Sequence, residues 1–179
     1  MGHPLSDEGG AQGYLAGVLG GLDLAMDDFK TYSGAAWQKS VVVCATEFGR
    51  TVHINGDGGT DHGVGTVALL AGGAVNGTRV HADWPGLRQD QLYEDSDLTP
   101  TTDLRSVFKG ILRDHIGVST PLLDTTIFPD SASVPALPNL INAAAGDARI
   151  SGVAKPAALK AEPPIARYRK SQRVAKAAT

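Results

Sequence analysis

The stretch Val41-Val42-Val43-Cys44-Ala45-Thr46-Glu47-Phe48-Gly49-Arg50-Thr51, followed by Gly58-Gly59-Thr60-Asp61-His62-Gly63, decides how this chain is read. An apolar run of strand type ends in a carboxylate and an arginine, and a glycine-rich loop then delivers an Asp-His pair. Carboxylate and imidazole are ligands that divalent metals take. The C-terminal end of a buried strand is where open α/β sheets place their ligands. Glu47, Asp61 and His62 are therefore candidate metal ligands, and Arg50 is a candidate holder of an anionic group through its fork of donors. The residues alone leave a second reading of Arg50 open, a pair with Glu47.

Working outward, Leu15, Val18, Leu19, Leu22, Met26 and Phe29 recur at three- and four-residue spacings and predict an amphipathic helix over 11–32. Ser6, Asp7 and Glu8 offer capping oxygens before it. Gly17, Gly20 and Gly21 weaken it and suggest close packing against a sheet. Residues 40–46 read as a strand buried on both faces, because the run does not alternate. Residues 49–63 read as a loop and 64–71 as a second apolar strand. A hairpin over 75–80 is expected around Asn76-Gly77, and Asp83-Trp84-Pro85-Gly86 reads as a turn. A helix over 103–116, capped by Thr102 or Asp103 and stopped by Gly117, puts Leu104, Val107, Phe108, Ile111 and Leu112 on one face. Residues 118–142 look irregular, with four prolines. Helix, strand, loop, strand, helix is an α/β order. Two or three strands are too few for a stable doubly wound sheet, so the chain reads as a piece of something larger.

Composition narrows the function. Residues 1–142 carry 17 acidic and 8 basic side chains, a balance of −9, which excludes a nucleic-acid surface there. Residues 143–179 carry 2 acidic and 8 basic side chains, a balance of +6, and read as a basic, disordered tail. The organisation expected is thus a domain over 1–142 and a tail over 143–179. No window is apolar for the roughly 18 residues of a membrane span. The first residues carry no secretory signal, so a cytoplasmic location is expected for this form. Cys44, the single cysteine, reads as a small core residue.

Taken together, Glu8-Gly9-Gly10-Ala11-Gln12-Gly13-Tyr14-Leu15-Ala16, Thr46-Glu47-Phe48-Gly49-Arg50-Thr51, Gly58-Gly59-Thr60-Asp61-His62-Gly63, Leu70-Ala71-Gly72-Gly73, Asp83-Trp84-Pro85-Gly86-Leu87 and Thr101-Thr102-Asp103-Leu104-Arg105 resemble the DUF1501 family, a bacterial group within the alkaline phosphatase/sulfatase-like superfamily. The match covers about residues 8–141 and corresponds to the C-terminal part of the family domain. The resemblance implies a partial alkaline-phosphatase-like mixed sheet flanked by helices. It implies hydrolysis of phosphate or sulfate esters at divalent metal, such as zinc, manganese or calcium. Glu47 and His62 then stand where the superfamily places ligands, with Asp61 third or supporting the His62 ring. Glu47-Phe48 departs from the usual Asp-His, which puts a second metal in doubt.

A Trp-Asp-Thr-His type motif expected upstream is missing, and so is the superfamily's Ser or Thr nucleophile. The expectation is therefore a truncated hydrolase-like chain, inactive alone, whose sheet a partner chain could complete. Its substrate would be a small phosphate or sulfate ester. A non-catalytic binding or assembly domain is the alternative. Relatives are often exported to the periplasm. His53, His81 and His115 have no partner at ligand spacing and read as surface or helix-end residues, and Asn55 and Asp57 as turn formers.

Overall fold

In the computed structural model, residues 13–142 are described. The expected capping residues 6–8 and the basic tail lie outside them. The chain divides into two compact units, whose described parts are residues 13–34 and 35–142.

The first unit contributes one helix, α1 (Tyr14–Ser33). Its start is Gly13, which offers no side-chain cap. Ser33 closes its last turn by donating to the Phe29 carbonyl at 2.6 Å. Gly34 ends it with φ +52°, a conformation that suits glycine. Helix and terminator thus follow the sequence reading. Within the described residues a Cβ on Gly17 or Gly20 would meet no atom within 4 Å.

The second unit is a mixed α/β assembly. A short 3-10 turn (Gly34–Lys39) leads into β1 (Val42–Cys44), then β2 (Gly49–Arg50), β3 (His62–Gly63) and β4 (Leu69–Ala71). Among the described residues these form two separate antiparallel ladders, β1 with β4 and β2 with β3. Val42 faces Ala71, Val43 faces Leu70, and Cys44 faces Leu69. Both strands are shorter than the apolar runs that announce them, and β1 is half-buried rather than covered on both sides. The ladder prolongs itself through irregular backbone, Gly73 N–H donating to Trp37 O at 3.0 Å and Ala74 N–H to Ser40 O at 3.3 Å. The predicted hairpin at Asn76-Gly77 does not form. Val75 bridges Ile141 instead, and Asn76 N–H donates to Leu140 O at 2.8 Å. A long-range partner satisfies the backbone groups that a local turn would have used.

Helix α2 (Leu104–Ile111) winds on through a wider turn, Leu112–Ile116. Asp103 caps it, accepting from Arg105 N–H at 2.8 Å. Gly117, at φ +82°, ends it, and Val118 N–H returns to Leu112 O at 3.0 Å. Of the predicted apolar face, Val107 and Ile111 are buried and Phe108 stacks on Phe128 at 6.4 Å, while Leu104 stays exposed. The stretch 118–142, expected to be irregular, opens with a single turn, α3 (Thr120–Leu122), and a wider turn, Leu123–Ile127. Residues 131–142 then cross α2 as a strap.

The core lies where strap, helix and sheet meet. Val107, Ile111, Leu140 and Ile141 are buried together, with Val41, Val43, Leu70 and Leu137 packed against them. Each such side chain contributes about 1.5–3 kcal/mol when fully buried. Gly110 lets the strap touch the helix: a Cβ there would collide with the Leu137 carbonyl. Leu137 N–H donates to Ser106 O at 2.9 Å, and the Ser106 hydroxyl donates to Pro135 O. Asn142 ties the far end down, its side-chain amide donating to Val75 O at 3.0 Å and Gly73 O at 3.3 Å.

Lys109 sits in this core with 1% of its surface exposed. Its ammonium donates to Asp124, to Ser131 O at 2.6 Å and to Val134 O at 2.9 Å, so all three protons are used. Removing one partner of a buried ion pair strands the other. Lys109→Ala is accordingly expected to lower stability by about 3–5 kcal/mol in urea unfolding; a loss below about 1 kcal/mol would show that the ammonium does not hold the strap.

Asp103 gives a pH signature. The hydrogen bond from the Arg105 side chain holds its carboxyl below the usual carboxylate range, against the opposing effect of burial. A carboxylate whose folded pKa is depressed stabilises above its unfolded value and loses that contribution as pH falls through the folded one. Asp103→Ala should cost about 1 kcal/mol at neutral pH, and that gap between wild type and variant should narrow in urea unfolding at a pH below the usual carboxylate range, as the lowered pKa of Asp103 is passed. An equal gap at both pH values would contradict the cap.

Candidate functional site

The segment expected to be a loop, 49–63, is a hairpin. Gly49 faces Gly63 and Arg50 faces His62. Thr51 N–H continues the ladder by donating to Asp61 O at 3.0 Å. Its tip is built on Asn55, whose side-chain oxygen accepts from Asp57 N–H and Gly59 N–H, each at 3.0 Å. Gly58 adopts φ +73° in the same turn. Asn55 is thus the turn former that its position announced, with Asp57 beside it.

The hairpin's base is pinned by close backbone contact. A Cβ on Gly49 would strike Gly65, and one on Gly65 would strike the Leu98 carbonyl, so three segments stack with no side chain between them. Asp97, buried, locks the stack: its carboxylate accepts from Val64 N–H at 2.8 Å and from the Ser96 hydroxyl at 2.6 Å. Asp97 carries no mark in the sequence beyond the acidic run Glu94-Asp95-Ser96-Asp97.

The four candidate residues occupy this hairpin and the strand end before it. Glu47 follows β1, is exposed, and makes no hydrogen bond or ion pair among the described residues. The His62 ring stacks on Phe48 with centroids 4.1 Å apart and planes 25° from parallel. Asp61 accepts from the Asn55 side-chain amide at 3.0 Å. Successive residues of extended chain point to opposite faces. Asp61 and His62 obey that rule: one turns to the loop tip, the other to Phe48. Among the described residues no group of three or more His, Cys, Asp or Glu side chains is gathered at metal-holding distance. A catalytic site needs three protein ligands, so Glu47, Asp61 and His62 do not by themselves fit a divalent ion.

Arg50 takes neither of the partners considered for it. Its Nε donates to the Thr60 hydroxyl at 2.9 Å, and a terminal nitrogen donates to the Thr60 carbonyl. The guanidinium therefore braces the hairpin across its own ladder. His53 pairs with Gln89 at 3.1 Å on the surface, and His115 Nδ1 is buried without a hydrogen-bond partner among the described residues.

Beside the hairpin lies a cavity of about 720 Å3, whose wall includes Glu47 and Phe48 but not Arg50 or His62. Val64, Leu69, Val80 and Trp84 make the wall apolar. Val80 belongs to the segment expected to form a hairpin, and Trp84 to one that the sequence marked only as a turn.

Asp97→Ala is expected to leave Val64 N–H without its acceptor and to cost about 1–3 kcal/mol. Hydrogen exchange at the Val64 amide should accelerate in step with that loss. Unchanged protection would show that the backbone stack holds without the carboxylate.

No curated protein and no solved structure matches the chain. Residues 9–126, more than half of it, match the family described as Protein of unknown function (DUF1501), and the chain belongs to that family.

Proposed function

We propose that this chain is an incomplete member of a metal-dependent phosphate or sulfate ester hydrolase-like group, with no turnover by itself. The observation that carries the proposal is the donor set. An unpartnered carboxylate, Glu47, lies on the cavity wall, the His62 imidazole stacks on the adjacent Phe48 ring, and no group of three or more such side chains is gathered among the described residues. In a completed site Glu47 and His62 would supply two donors for a divalent ion such as zinc, manganese or calcium, with Asp61 supporting the loop. Under this proposal the open strand edges of the two ladders are where a partner chain would complete an alkaline-phosphatase-like sheet.

A second reading, a binding or assembly domain without chemistry, is favoured by one observation. Glu47 stands free while Asp61 and Arg50 are spent within the hairpin.

Metal analysis of the folded full chain, with parallel assays on aryl phosphate and aryl sulfate esters, tests the proposal. Less than stoichiometric zinc, manganese or calcium and no hydrolysis above buffer are expected. Stoichiometric metal that falls in both Glu47→Ala and His62→Ala, with turnover, would replace it by a complete site. Metal and turnover restored by an added chain carrying the missing ligands would distinguish the incomplete hydrolase from the assembly domain.

A further inference from the structure

The chain contains two Asn-Gly pairs, Asn55-Gly56 at the hairpin tip and Asn76-Gly77 beyond β4. In such a pair the glycine backbone nitrogen can attack the asparagine side-chain carbon Cγ, because the glycine has no Cβ to hinder the close approach. The attack is favoured when the carbonyl oxygen on Cγ is already held by donors and the nitrogen is not itself spent as one.

The two pairs differ on both counts. Asn55 Oδ1 accepts from Asp57 N–H and Gly59 N–H, each at 3.0 Å. Two backbone donors on one carbonyl oxygen draw electrons from Cγ and stabilise the negative charge that grows on Oδ1 as a nucleophile adds. Gly56 N–H makes no hydrogen bond among the described residues, a Cβ on Gly56 would meet nothing within 4 Å, and residues 56–58 are exposed to water. At the second pair Asn76 Oδ1 accepts no hydrogen bond among the described residues, and Gly77 N–H is spent on Val75 O at 2.9 Å. The Asn76 amide is also anchored on Asn139 O at 3.1 Å. One pair thus joins an activated carbon to a free nitrogen, and the other has neither.

We propose that Asn55 is a modification site, converted by spontaneous deamidation with water as the co-reactant, and that its conversion loosens the hairpin carrying Asp61 and His62. The Gly56 nitrogen gives its proton to solvent and bonds to Cγ. The Cγ–Nδ2 bond breaks, and Nδ2 leaves as ammonia with a proton from water. Water then opens the cyclic imide. Opening at Cγ leaves an aspartate, and opening at the main-chain carbonyl leaves an isoaspartate whose backbone runs through the former side chain. Nothing is oxidised or reduced, so water alone completes the balance.

Either product disturbs the tip. Asn55 Nδ2 donates to Asp61 Oδ1 at 3.0 Å. The aspartate puts a second carboxylate in place of that donor, and two like charges then face each other. The isoaspartate lengthens the backbone inside the turn, where Asn55 N–H donates to Gly59 O at 2.8 Å. The next bond down the ladder is Thr51 N–H to Asp61 O, at 3.0 Å.

The test incubates the folded full chain at neutral pH in heavy-oxygen water and follows its peptides by mass spectrometry, beside the same chain in urea. Asn55 should convert, taking its new oxygen from water, at least about fivefold faster than Asn76 in the folded chain. The two rates should draw level in urea, where the turn is gone. No conversion at Asn55, or conversion at Asn76 that is as fast, overturns the proposal. A preference for Asn55 that persists undiminished in urea overturns the part given to the turn. For the consequence, Asn55→Asp should speed hydrogen exchange at the Thr51 amide by about fivefold, the factor expected of one like-charge contact in water. Asp61→Asn added to that variant should restore protection, with circular dichroism confirming that each chain is folded. Unchanged exchange in Asn55→Asp, or exchange that Asp61→Asn does not slow, overturns the loosening.

Discussion

A single buried ammonium organises the second unit. Lys109 projects from α2 into a setting that would exclude it but for Asp124, Ser131 O and Val134 O. Those three acceptors come from two segments, and neither is held in place by regular secondary structure of any length. The charge therefore ties both segments to the helix, beside the Ser106 bonds to Pro135 and Leu137. Once the strap is down, Leu137, Leu140 and Ile141 close the core over Val107 and Ile111. That core backs Val41, Val43 and Leu70, and so fixes the strand from which Glu47 emerges.

Much of this was legible beforehand, and the reasons differ by element. α1 and α2 carry strong periodicity and local terminators, Gly34 and Gly117, so they depend little on distant contacts. Asp103 is readable as a cap because capping is chemistry over two or three residues. The strands at 42–44 and 69–71 were legible as apolar runs, but neither their lengths nor their antiparallel pairing follows from composition. Asn76-Gly77 shows a strong local signal losing to a distant one: its backbone pairs with Leu140 and its amide with Asn139. Lys109 was hidden because a lysine between apolar positions reads as a solvated side chain, and its three acceptors lie 15 to 25 residues away.

The candidate site shows the same divide between neighbours in sequence and neighbours in space. Asp61-His62 reads as a unit on paper. In an extended ladder the two residues belong to opposite faces, and each has found its own partner, Asn55 or Phe48. Arg50 likewise finds Thr60 across the hairpin rather than Glu47 three residues away. Glu47, which makes no hydrogen bond or ion pair among the described residues, stands instead on the wall of an apolar hollow. Residue type located the chemistry of this region, while the pairing register decided which groups could share it.

The strap has a consequence for how the chain comes into being. Synthesis proceeds from the N-terminus, and a domain closes only when the segments that complete its core are available. β1, β4 and α2 are all made before residue 131, yet three of the eight side chains of the core cluster and its packing shell, Leu137, Leu140 and Ile141, come from the segment that follows. Until that segment emerges, Val41, Val43 and Leu70 have no cover, and the backbone of residues 73–76 waits for Leu140 and Asn142. The apolar floor of the unit thus stays open until a stretch of irregular chain is laid across it.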